Sequence, residues 1–162
     1  MDLSLLAQRL KTEHPVAPAP APFPSNSSAV MVLLYLRSRQ PHVLLMRRAE
    51  HLRNHPGQIS FPGGTPEPRD ASLLDTAIRE TREELAISVH PEQVCGALPK
   101  VRTLTGFEIS PFVCILEERP AYRINSAEVQ EVLEVPLLPL LSTHHREMGY
   151  PPGKHMVAYW FL

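Results

Sequence analysis

One stretch limits the architecture of this chain more than any other. PGGTPEPR (62–69) packs two glycines and three prolines into a short span, and residues 71–86 then carry helical periodicity over several turns. Glycine and proline at that density exclude regular structure across 62–69. The helix that follows is the only long one the apolar pattern supports, and strand-like sequence stands on both sides of it. AVMVLLYLR (29–37) is a continuous apolar run rich in Val and Leu, read as a buried strand, and HVLLMRR (42–48) follows after the turn RSRQP. The two read as a hairpin or as neighbouring strands. AEHLRNHPGQ is a polar, basic loop. VCGALPKV (94–101) and ISPFVCILE (109–117) are further strand candidates, SAEVQEVLEV (126–135) reads as a short helix running into a strand, PLLPLLS as a proline-started helical turn, and HMVAYWFL (155–162) as a last strand. Strands punctuated by one long and one or two short helices predict a mixed α/β layered fold.

Ahead of this block, Leu3, Leu6 and Leu10 fall at helical spacing, so a short amphipathic helix is expected over 3–13. The alternating prolines of HPVAPAPAPFPSNSS favour an extended linker, which makes 1–27 an N-terminal helix and Pro-rich linker and starts the globular domain, 28–162, near Ser28. The 162 residues suit one domain with a real core. A net charge of −1 provides no global basic footprint for nucleic acid. No apolar run reaches the length that crosses a bilayer, so no membrane association is expected. MDLSLLAQRLKTEH lacks the features of a signal peptide, and Asp2 and Glu13 argue against an organellar transit peptide. Cys95 and Cys114 lie in apolar, strand-like sequence and read as small buried hydrophobes. A cytoplasmic protein is the expectation.

On a wheel, Leu74, Ala77, Ile78, Thr81 and Leu85 form the expected core stripe. Glu80, Glu83 and Glu84 project as one patch away from it. Asp75 and Arg79 sit at i,i+4, acid first, on the opposite flank. A solvated acidic face is the plain reading of such a cluster, because like charges one turn apart cost only a few tenths of a kcal/mol. The Gly-Gly entry changes the weighting. Glycine leaves backbone amides and carbonyls unobstructed, and a hard divalent cation takes carboxylate, carbonyl and water oxygens. Three carboxylates plus a carbonyl of Gly63 or Gly64 supply such a set, and a diphosphate substrate completes it with its own oxygens.

The segment from Gly64 resembles the Nudix box, GX5EX7REUXEEXGU with U a bulky apolar residue. Asp70 stands where Glu is usual, eight residues rather than seven separate it from the R79-E80-T81-R82-E83-E84-L85-A86-I87 core, and Ala86 takes the place of the usual glycine. Thr81 occupies an apolar position. Upstream, LLMRRAEHLRNHPGQISFPGG (44–64) resembles the signature of the coenzyme A pyrophosphatase branch, in which an Asp and a longer spacer in the box are common. Arg48, Leu52, His55, Gly57, Gln58 and Phe61 to Gly64 fit that signature. TLTGFEISPFVCIL (103–116) and SAEVQEVLEVPLLPLL (126–141) are similar to the same branch, so the likeness runs over about 28–141. Family members usually continue with another strand and a closing helix, so for a chain that stops at Trp160-Phe161-Leu162 the expectation stands between a short protein and a C-terminal end of the domain that is incomplete.

The resemblance implies a Nudix-type α/β/α sandwich with a mixed sheet, and Mg²⁺- or Mn²⁺-dependent hydrolysis of a nucleoside diphosphate derivative. Glu80, Glu83 and Glu84 are the implied metal ligands. The general base is left open between these three, a loop carboxylate and Glu128, for which a surface place on a short helix is the plain alternative. Arg79 is expected to hold the loop–helix geometry through a carboxylate pair. Arg48 and Arg53, with Gly63 and Gly64, are the expected substrate-binding residues, with Lys100 and Arg102 as further phosphate candidates. His51 and His55 are expected to bond within their loop rather than to ligate zinc, since no HExxH is present. Coenzyme A or its thioesters, split into 3′,5′-ADP and (acyl-)4′-phosphopantetheine, is the implied substrate, and a homodimer the family-level expectation. Two alternatives stand beside it: a Nudix hydrolase of another nucleoside diphosphate derivative or a nucleoside triphosphate, and a non-catalytic nucleotide-binding domain of the same fold.

Overall fold

The computed structural model describes residues 2–17, 21–103 and 105–142. The final strand expected over 155–162 lies outside them. Helix α1 (Leu3–Glu13) is followed by strands β1 (Ser27–Arg37), β2 (Gln40–Arg48), β3 (Ile59–Ser60) and β4 (Gly63–Gly64). Helix α2 (Leu73–Leu85) comes next, then β5 (Val94–Ala97), β6 (Val101–Arg102), β7 (Glu108–Ile115), β8 (Val129–Pro136) and α3 (Leu137–Ser142). The strands form one mixed sheet in the order β3-β2-β1-β7-β5. The long apolar run of β1 lies at its middle, parallel to β7 and antiparallel to β2. A strand buried on both faces reads as continuous apolar sequence, and that is how 29–37 reads.

Two clusters of apolar side chains pack the two faces. Ala29, Met31, Leu33, Leu44 and Met46 meet Leu73, Ala77 and Leu85 of α2 on one face. Leu34, Val43, Leu45, Cys95 and Val113 meet Leu10 of α1, with Leu137 and Leu140 of α3 packed alongside, on the other. The result is an α/β/α sandwich. The N-terminal helix, expected as an element ahead of the domain, is docked on the sheet. Its end comes close because residue 96 is glycine: a Cβ there would lie 2.9 Å from the carbonyl oxygen of His14. Val16 and Phe23, on either side of the proline-rich stretch, pack against the α2 face.

The segment that composition declared irregular contains two ladder pairings. β1 and β2 pair only over 33–37 and 40–44, and beyond that they diverge. The far edges of both are occupied, by β7 and β8 respectively. The 59–64 segment therefore fills the fork between them, with β3 pairing to Met46 and Arg47 and β4 pairing to Ala29 and Val30. Glycine is required at 63, because a Cβ there would run into the carbonyl oxygen of Ala29. A second difference lies at 126–128, read as a helix from sequence. There the chain makes a turn, with the amides of Glu128 and Val129 both donating to the carbonyl of Asn125, and enters β8 directly. Pairing to seven consecutive residues of β2 outweighs the local helical pattern.

Helix α2 begins at Ser72, whose Oγ accepts from the amide of Asp75 at 3.1 Å and donates to the Asp75 carboxylate at 2.8 Å. This reciprocal cap satisfies an orphan donor of the first turn. The helix ends at Ala86, held in the left-handed region at φ 56°. A Cβ is disfavoured there and glycine is the usual solution. Ala86→Gly is expected to stabilise the fold by about 1 kcal/mol, read from urea unfolding curves. A loss of stability would show that this residue is relieved of strain by a contact its methyl group makes.

Candidate active site

Helix α2 rests on backbone, not on side chains, at its closest approach to the sheet. Because residues 63 and 64 are glycines, the helix sinks towards β4 and turns Glu84 inward. The core stripe is accordingly rotated from the one the wheel suggests. Leu73, Thr76, Ala77, Thr81 and Leu85 are buried, whereas Leu74 and Ile78 are only half-buried. Glu84 is 1% exposed and its Oε2 accepts from the amide of Gly63 at 2.9 Å. A Cβ at residue 64 would strike the carboxylate of Glu80.

Arg79 organises the entrance to this helix. It is 6% exposed and grips Asp70 in a fork: Nε donates to Oδ1 at 3.0 Å and Nη2 to Oδ2 at 2.9 Å. Nη2 also donates to the carbonyl of Thr65, and Nη1 to Glu80 and Glu83 at 2.9 and 3.1 Å. Asp70 accepts further from the amide of Glu67 and the hydroxyl of Thr76. Burial works to raise the Asp70 carboxyl, but these donors, Arg79 first, outweigh it and hold it below the usual range. Asp75, the partner suggested by i,i+4 spacing, belongs to the Ser72 cap instead. The carboxylate that Arg79 needs comes from the loop, which spacing within a helix cannot reveal.

The three helical glutamates part company. Carboxylate oxygens of Glu80, Glu84 and Glu128 lie within 4.8 Å of one another. Glu83 stands apart from that triplet, exposed, and accepts from Arg69 and Arg79. Glu128 is not a surface residue on a helix. It sits on the turn before β8, its carbonyl accepting from the amide of Ala49 and its Oε1 from Asn125 Nδ2 at 3.0 Å. Arg48, at the end of β2, brings Nη1 to 3.9 Å from Glu84 Oε1, and its Nε is buried without a hydrogen-bond partner. Arg53 is exposed on the 49–58 loop and is not among the residues that meet here. Lys100 bonds Glu108 at 2.6 Å. His51 Nε2 lies 3.0 Å from the carbonyl of Ala127, a bond between loops.

Burial pushes the Glu84 carboxyl up to about 8; the Gly63 amide opposes this, and the charges of Glu80 and Glu128 add to it. Glu80 is raised as well, by burial first, against the pull of Arg79. A buried and a half-buried carboxylate whose ionised forms are disfavoured, with a third beside them, are a donor set that a hard cation relieves. Oxygen-only donors of this kind fit a divalent ion of the Mg²⁺ or Ca²⁺ type. This is the one such acidic group among the described residues.

Residues 25–158 match the model of the NUDIX domain. The chain belongs to the Nudix family. Nudix hydrolases use divalent metal ions, in keeping with the acidic triplet. Among its relatives is a protein described as an uncharacterized Nudix hydrolase, NudL, of Enterobacter sp. (strain 638), 44% identical over 102 residues, which are 63% of this chain and 53% of that protein. The NudL protein of Salmonella paratyphi B is 45% identical over the same length. The chain thus spans about half the length of the curated relatives it matches. Of solved structures, the NUDIX domain of Shewanella oneidensis NrtR in complex with ADP ribose superposes with a TM-score of 0.58 at 27% identity, covering 72% of this chain and 75% of that one. The MutT protein of Methanosarcina mazei Go1 gives 0.55 at 25% identity, covering 73% and 81%. Among the described residues no helix is long and apolar enough to cross a membrane.

Because the Glu84 carboxyl is raised from 4.5 to about 8 on folding, the folded chain holds its proton more tightly than the unfolded chain. The associated stability is present below about 4.5 and is lost as pH rises through about 8. In chelated buffer, wild type is expected to lose stability relative to Glu84→Gln over that window. A divalent cation is expected to close the gap at pH 8. Urea titrations at successive pH values check both.

Proposed function

We propose that this chain is a metal-dependent pyrophosphohydrolase that cleaves the diphosphate of coenzyme A or its thioesters. The observation that carries the hydrolase reading is Glu84, a carboxylate almost fully buried beside Glu80 and Glu128 at the mouth of a Gly-Gly backbone. A protein seldom keeps an acid there unless a cation compensates it. Glu80, Glu84 and Glu128 would hold Mg²⁺ or Mn²⁺. Glu83, a ligand by resemblance, is given the task of bracing Arg79. The bound ion would neutralise the diphosphate and generate a nucleophile from water.

The chain's own residues do the rest. Arg79 fixes Glu80 relative to the loop through Asp70 and Thr65. Arg48, whose Nη1 lies 3.9 Å from Glu84 Oε1, is placed to bind a phosphate oxygen. The attacking water gives its proton to a carboxylate oxygen of the triplet that the ion leaves free. The water oxygen bonds to one phosphorus, the bridging P–O bond breaks, and the bridging oxygen leaves with the other phosphate. The choice of coenzyme A is supported by the similarity of 44–64 to the coenzyme A pyrophosphatase signature, and Arg53 on the exposed loop is the proposed contact for its outlying phosphate.

Incubation with coenzyme A and Mg²⁺ or Mn²⁺ is expected to yield 3′,5′-ADP and 4′-phosphopantetheine, resolved by chromatography. Glu84→Gln is expected to lower turnover by roughly two orders of magnitude or more while leaving the circular dichroism spectrum intact. Turnover of ADP-ribose or a nucleoside triphosphate but not coenzyme A would move the substrate within the family. No turnover of any diphosphate, with nucleotide still bound, would favour a binding domain.

A further inference from the structure

Asn125 stands where the two halves of the acidic triplet meet, and all four of its polar atoms are used there. Its backbone amide donates to the carbonyl of Glu84 at 2.8 Å, and its carbonyl accepts from the amides of Glu128 and Val129 at 2.9 and 2.8 Å. Its Oδ1 accepts from the amide of Ala127 at 3.2 Å. Its Nδ2 donates to Glu128 Oε1 at 3.0 Å. The opposite amide orientation would set an NH₂ group against the Ala127 amide and an oxygen against a carboxylate, so the network admits only this one.

Glu128 needs such a partner. Its side chain has three rotatable bonds, it projects from a turn, and it faces the like charges of Glu80 and Glu84. Unrestrained, it would swing towards water. The donor that holds it is neutral. A lysine or arginine in that place would neutralise the carboxylate and compete with a cation, whereas an amide fixes one oxygen and leaves the charge and Oε2 available. The same residue ties the turn to the C-terminal end of α2 through the Glu84 carbonyl, so the spacing between Glu84 and Glu128 is set by one side chain and its own backbone. The turn is further latched by the Ala49 amide to the Glu128 carbonyl and by His51 to Ala127.

We propose that Asn125 is a positioning residue that holds the Glu128 carboxylate at the Glu80–Glu84 pair and thereby sets the affinity of this chain for a divalent cation. The proposal rests on the reading of the triplet as a cation site. Its test is Mn²⁺ binding by the full chain, followed by the electron paramagnetic resonance signal of the free ion, with coenzyme A turnover measured in parallel. Asn125→Ser keeps an oxygen for the Ala127 amide but does not reach Glu128; Asn125→Thr serves the same purpose should the serine variant not fold. Loss of a partner that orients a ligand is expected to weaken Mn²⁺ binding about tenfold. In a Glu128→Gln background the same substitution is expected to change binding less than about twofold, since no carboxylate remains to be held. Equal weakening in both backgrounds would overturn the proposal, and so would undiminished binding by Asn125→Ser when Glu84→Gln abolishes it. Mn²⁺ binding that is unaffected by Glu84→Gln would overturn the cation site itself, and the role of Asn125 with it.

Discussion

The hydrogen bond from the Gly63 amide to Glu84 ties the sheet to the helix that carries the candidate site. It exists because β1 and β2 diverge and the 59–64 segment fills the fork between them, presenting bare backbone to α2. Side chains at 63 or 64 would collide with Ala29 or with Glu80. The close approach buries a carboxylate, and the burial makes its ionised form unfavourable. An amide donor offsets part of that cost, and the remainder is what a cation bound at the triplet, as proposed, would relieve.

Arg79 supports the same contact from the other end. Its fork to Asp70 is buried, and breaking one partner of such a pair costs about 3–5 kcal/mol, because the other charge is left without compensation. The exposed pair between Arg69 and Glu83 belongs to a class worth about 0–1 kcal/mol. These magnitudes decide which ion pair shapes the loop. Arg79 and Asp70 draw residues 65–70 against the start of α2, and Glu83 adds a restraint on Arg79 from outside. One arginine thus joins the loop carbonyl of Thr65, the helical Glu80 and the buried Asp70 into a rigid unit.

A second polar cluster secures the opposite end of the same face. The Tyr35 hydroxyl donates to Glu134 at 2.6 Å, and Glu134 also accepts from Arg119. Arg119 and Tyr35 come from separate parts of the chain, so this cluster pins the start of the 117–128 connection to β1 and β8. The Arg123 and Asn125 amides, bonded to the carbonyls of Leu85 and Glu84, pin its end to α2. The connection has little regular structure, yet it is fastened at both ends, and this is how a loop residue such as Glu128 is delivered to a helix more than forty positions earlier.

Much of this was legible in the sequence. The strands β1, β2 and β7, the helix α2 and its glutamates all follow from apolar period and from glycine and proline placement, which are local properties. The family, too, is written in a contiguous motif. What sequence could not supply is whatever depends on a partner distant in the chain. Wheel geometry set Glu80, Glu83 and Glu84 together, but the depth to which α2 sinks on β4 separates Glu83 from the other two. Helical spacing paired Arg79 with Asp75, while the loop offered Asp70. The pattern of 126–135 suggested helix, on which a surface place for Glu128 stood beside its candidacy as general base, and pairing with β2 made it turn and strand, which brought Glu128 to the acidic triplet. Asn125 carried no signal in sequence, since an asparagine before a turn is ordinary. Local chemistry therefore determined which residues this protein has for its task, and tertiary packing decided which of them meet, because burial and distance are set by contacts that no short window of sequence contains.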